Sequence, residues 1–165
     1  MKIFNKKEEQ VKKIILLVVL ILFVLFLLIK QHWDISNSWS QILLFIFSYG
    51  LGLFLMLGDE KYLQKIYLDE LEEKILITRS PLFILILPFL SIFVLTSTGS
   101  VVGIGLIMAL NLVILIEIWQ LSTKEDLFNQ NFLQNTKKRV NLSEMRIIQI
   151  VSSAYFLLIL FLLLY

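Results

Sequence analysis

The sequence predicts an all-α, polytopic integral membrane protein with five transmembrane helices, the N-terminus cytoplasmic and the C-terminus outside. Three observations carry this prediction. Of 165 residues, 58% are hydrophobic and only 17% charged, against about 25% charged in an ordinary soluble domain. The apolar residues are gathered into runs of the length that a membrane crossing requires, about 20 residues each. Every Lys and Arg except Lys30 falls in residues 1–13, 59–80 or 122–146. Five crossings put those three stretches on one side of the membrane, the cytoplasmic side by the positive-inside rule.

One bundle covers residues 1–165, with spans at about 11–30, 39–57, 81–97, 101–121 and 145–165. The first follows a basic stretch and contains Ile14–Ile29, uninterrupted large aliphatic or Phe residues. Lys30-Gln31-His32-Trp33 follows it, not a small-residue cleavage site, so it reads as a retained span and not as a secretory leader. Without Gly, Ala or Ser it has no means of close packing, and a lipid-facing anchor is expected. Trp33 and Trp39 flank a short outer loop, as interfacial aromatic residues do.

In the second span, Ser48 and Gly52 are four apart on one face, a pair that permits close helix approach. Gly58 is expected to end that helix as a residue following its last turn. Residues 59–80 form a cytoplasmic amphipathic segment that reads as helix, with Asp59 as a potential cap. Leu63, Tyr67, Leu71 and Ile75 share one arc at 100° per residue, and charged residues lie opposite. The segment has four basic and six acidic residues. Helices lying on anionic lipid carry a basic polar face, so this stripe is expected to meet protein.

Ser80-Pro81 reads as an N-cap followed by a first-turn proline. Residues 81–121 then form a hairpin of two spans, expected to be the structural hub. Pro88 removes a backbone hydrogen bond inside the first arm. Gly99 with Gly103, and Gly105 with Ala109, make two further small-residue pairs in the second. Residues 122–144 form a cytoplasmic loop. Ser122 and Glu125 suggest a capping box for a short helix carrying Phe128 and Phe132. Asn141 and Glu144 suggest another at the entry to the last span, with Val140 and Met145 as its hydrophobic staple.

Chemistry-bearing residues are few. Cysteine is absent, which excludes thiol nucleophiles, thiolate metal sites and disulfides. The single histidine, His32, excludes the paired-histidine zinc motifs and leaves Ser without a basic partner at matching depth. Gly99, Gly103 and Gly105 lack the lysine of a phosphate-binding loop. No catalytic, cofactor or metal site is expected, nor any nucleic-acid partner. Asn111, near the middle of its span, is expected to bond a neighbouring helix. Glu117, with Gln120, forms a candidate intramembrane polar site. At about 6 Å of helix rise before Leu121, it can snorkel, sit protonated, or pair with Gln120 or a lysine such as Lys124. Lys137, Lys138 and Arg139 are candidate contacts to anionic lipid.

These features point to a non-enzymatic scaffold or accessory subunit in a membrane, with a bacterial-type plasma membrane as the default. Its partners would be the lipid bilayer, a cytoplasmic protein docked on the acidic amphipathic segment 59–78 and the basic segment 137–146, and further copies of itself. The alternative is a small oligomeric transporter or channel that uses the kinked 81–121 hairpin and Glu117.

Overall fold

A computed structural model describes residues 6–30, 35–59, 77–98, 100–133 and 139–164. Of these, 93% are helical and none is in a strand. The helices are α1 (Lys6–Lys30), α2 (Ile35–Gly58), α3 (Pro81–Phe93), α4 (Val101–Leu121), α5 (Glu125–Phe132) and α6 (Leu142–Leu164). Among the described residues, three stretches are long and apolar enough to cross a membrane: Trp39–Gly58, Val101–Leu121 and Leu142–Leu163. Pro81–Ser97 is a shorter apolar helix. In α1, charged residues up to Lys13 precede the apolar run from Ile14. The outward faces carry large apolar side chains such as Phe47, Leu82, Phe89 and Leu157, the arrangement that suits a hydrocarbon solvent.

The hub is α4 alone, not the 81–121 hairpin. Residues Ile107–Ile114 of α4 are all buried, and its most extensive contact is with α2. Small residues make this contact possible. A Cβ added at Gly52 would lie 2.7 Å from the Ala109 Cβ and 2.9 Å from the Leu106 carbonyl oxygen. One added at Gly105 would run into the Ser48 hydroxyl and lie 2.8 Å from the Phe45 carbonyl oxygen. The Ser48/Gly52 and Gly105/Ala109 pairs therefore face each other, each small residue admitting the opposite backbone. Spacing alone identifies a face that can pack closely. It does not identify the face it meets, which is why the hairpin looked self-sufficient. Gly103 is half-buried, and its N–H reaches the Ser100 hydroxyl, 3.4 Å, at the N-cap of α4. Gly99 lies outside the described residues.

The first span packs, contrary to expectation, by aromatic contact instead of small residues. Phe23 is buried and stacks on Phe45 of α2, with centroids 5.1 Å apart and planes 7° apart. Tyr49 donates its hydroxyl to the Leu16 carbonyl at 3.1 Å.

Caps divide the remaining expectations. Ser80 caps α3 by accepting from the Phe83 N–H at 3.2 Å, with Pro81 next to it. At α6, the Asn141 side chain accepts from the Glu144 N–H at 3.0 Å, and Glu144 accepts from the Asn141 N–H at 3.1 Å. The capping box forms in full, with Val140 and Met145 buried in one cluster. The Ser122 box does not form. Ser122 instead donates to the Trp119 carbonyl at 2.8 Å, closing α4, and α5 starts after Lys124 without a side-chain cap. Gly58 is the last residue of α2, not one beyond it, and its backbone is not left-handed. Residues 60–76, including Leu63, Tyr67, Leu71 and Ile75, lie outside the described residues. At the segment's end, Ile77–Arg79 is a 3₁₀ turn and not continued α-helix.

Asn111 behaves as its depth requires. Its amide donates to the Ser91 hydroxyl at 2.8 Å and to the Ile107 carbonyl at 2.9 Å, while Ser91 donates to Leu87 at 2.7 Å. The bond joins α4 to α3. A double-mutant cycle on S91A and N111L is expected to yield a coupling of about 0.6 kcal/mol and at most ~1.7, as for other membrane pairs. Chemical unfolding in detergent measures it, and a coupling of zero would make the bond incidental.

Candidate functional site

The polar centre of the molecule is built from three segments that meet at one end of the bundle. Glu117 is in the last turns of α4 and is 0% exposed. A carboxylate there needs charge partners and hydrogen bonds, because desolvation without them costs several kcal/mol. Two cations supply them. Arg79, in the 3₁₀ turn before α3, approaches side-on: its Nε donates to Oε2 at 2.5 Å and its Nη2 to Oε1 at 2.7 Å. This fork geometry is the strong form of the arginine–carboxylate pair. Lys12 of α1 donates its Nζ to Oε1 from the other side. The Arg79 and Lys12 side chains are 3% and 16% exposed, so the group is nearly dry.

Arg79 is itself held in place. Asp59, just beyond α2, is buried, and its carboxylate accepts from the Ile77 N–H at 3.2 Å, the Thr78 N–H at 2.7 Å and the Thr78 hydroxyl. Asp59 thus caps the 3₁₀ turn Ile77–Arg79. The resulting chain of contacts runs from α2 through Asp59 to Thr78 and Arg79, then to Glu117 on α4 and Lys12 on α1. At the rim, Lys124 pairs with Glu8 at 2.6 Å, and Gln120 donates to the Glu8 carbonyl at 3.0 Å. The Lys124–Glu8 pair is about one-third exposed on each side, and such pairs contribute little, roughly 0–1 kcal/mol.

The expectation for Glu117 is corrected on two points. It does not snorkel, and its ion-pair partners are Lys12 and Arg79, while Lys124 and Gln120 engage Glu8. The indication was present in the charge distribution. Lys12 and Arg79 both border apolar runs on the side where α4 ends, so both were within reach of a buried acid. The contact of Asp59 with Ile77 and Thr78 was not anticipated, and its expected cap on the segment that follows it falls on residues outside the described ones. Arg139 is exposed; Lys137 and Lys138 lie outside the described residues.

Chemically, the carboxyl group is enclosed by donors. Among the described residues, no three His, Cys, Asp or Glu side chains converge where they could hold a metal ion. The arrangement joins α1, α4 and the start of α3 electrostatically. Comparison with known proteins gives no match to any family model, curated protein or solved structure.

Proposed function

We propose that the protein is a five-span membrane scaffold or accessory subunit, without enzymatic activity, that presents residues 60–76 to a cytoplasmic protein partner. The observation that carries this reading is the closure of that segment at its base. Asp59 bonds Ile77 and Thr78, and the next residue, Arg79, is fixed on Glu117. A segment with an acidic polar face and an apolar stripe is thereby held between two anchored ends, which reduces the ordering cost of binding. The start of α1, the end of α2, the turn before α3 and the end of α4 all share in these contacts. That grouping is what alternating crossings would produce, and it supports the five-span topology with this end in the cytoplasm. A bacterial-type plasma membrane fits the positive charge bias.

Engagement of Glu117 by two cations favours a fastening role over the alternative of transport, in which the carboxyl group would have to exchange partners. The test is site-specific photo-crosslinking in native membranes from Leu63, Tyr67, Leu71 and Ile75. A defined heterologous adduct is expected, and D59A should reduce its yield while leaving the protein in the membrane. Adducts to copies of this chain alone would defeat the docking reading. The absence of cysteine allows a single cysteine at Ser143 to report orientation, with labelling expected only from the cytoplasmic side. Liposome flux that E117Q abolishes would establish the transport alternative.

A further inference from the structure

A lateral cleft of about 310 Å³ opens between α3, α4 and α6. Its walls are mostly apolar, including Ile84, Ile114, Ile118, Ile147, Val151 and Phe156. Ile147 and Val151 are 61% and 60% exposed, so the cleft is open along its α6 edge. The polar lining residues Asn111 and Ser152 bond Ser91, Ile107 and Gln149, and with Tyr155 they are a small part of a wall that otherwise suits hydrocarbon.

Length and charge identify the occupant. Along α4 the lining runs from Asn111 to Ile118, and along α6 from Ile147 to Phe156; at the helical rise these are about 11 and 14 Å. One leaflet of a bilayer core is roughly 15 Å deep, so the cleft matches a single acyl chain of one leaflet. Its Ile118/Ile147 end lies on the side of the molecule where α4 finishes and α6 begins. Arg146 directly precedes Ile147, and Arg139 lies just ahead of α6. Both arginines are exposed, and among the described residues neither is in an ion pair. Basic groups at the headgroup level of an interhelical pocket favour anionic lipid.

We propose that the cleft holds one acyl chain of an anionic phospholipid from the cytoplasmic leaflet, with the headgroup at Arg139 and Arg146. This rests on the orientation in the proposed topology, not on the docking of residues 60–76. The test is native mass spectrometry of the full chain, purified in mild detergent and exchanged into micelles holding equal phosphatidylglycerol and phosphatidylcholine. One retained phosphatidylglycerol per chain is expected. V151W and I147W fill the cleft from exposed positions and should each abolish retention with thermal stability unchanged. R139Q and R146Q should keep a lipid but each lower the preference for phosphatidylglycerol roughly fivefold, from an attraction of about 1 kcal/mol per surface cation. Equal retention by wild type and both tryptophan variants, no retention by wild type, or no headgroup preference would each overturn the proposal. The Ser143 cysteine separates the two failures: labelling from the cytoplasm with no retained lipid defeats the lipid site alone, whereas labelling from outside defeats the topology.

Discussion

Glu117→Ala is expected to destabilise the protein by about 3–5 kcal/mol, the cost of stranding buried charges after removal of their partner. The substitution takes the shared carboxylate away from Arg79 and Lys12, whose side chains are only 3% and 16% exposed. It also removes the ionic links that α1 and the turn before α3 make to Glu117. Thermal unfolding in detergent should show the loss directly. E8A, which breaks the rim pair with Lys124, about one-third exposed on each side, should change stability by no more than about 1 kcal/mol. A triple replacement of Lys12, Arg79 and Glu117 by Leu should recover much of what E117A loses, since apolar substitution of a whole buried ion group is often tolerated. If E117A melts with wild-type stability, the ion group does not fasten the bundle, and its functional interest rises accordingly.

The second large effect is expected at the α2–α4 contact. Gly105→Val introduces atoms where the Ser48 hydroxyl and the Phe45 carbonyl already stand. Backbone cannot yield as a flexible side chain can, so the helices must separate. Overpacking of this kind costs about 1–3 kcal/mol, and here it falls on the most extensive helix pair in the molecule. Folded yield and melting temperature should both drop. G50A is the matched control: Gly50 is exposed, with nothing within 4 Å of an added Cβ. It should be neutral or stabilise by up to roughly 0.5–1 kcal/mol through reduced backbone entropy. Equal stability of G105V and G50A would mean that the close approach is not what holds α2 to α4.

Much of this architecture could be read from local chemistry. Ser80-Pro81 and Asn141/Glu144 could be identified because a cap and its recipient lie within three residues. Ser48, Gly52, Gly105 and Ala109 could be identified because helical spacing defines a face. The partner of a face or a charge is a different matter. Glu117 is joined to residues 38 and 105 positions away, and no periodicity encodes such pairs. Charge segregation narrowed the field to one side of the membrane but could not rank Lys12 and Arg79 over Lys124, which is nearer in sequence. Ser122 illustrates the opposite error. A local motif was present, but a competing carbonyl at the end of α4 claimed the hydroxyl.

The separation of Lys12 from Glu117 also has a consequence for biosynthesis. At about 5–20 residues per second, the 105 residues between them take roughly 5–20 s to synthesise. Throughout that interval the Lys12 ammonium has no Glu117 and must stay hydrated at the membrane surface. The α1 helix can therefore form early, yet it can draw its lysine into the bundle only after α4 has been made. Final seating of the first helix is thus a late event in assembly, timed by an acid near the end of the fourth.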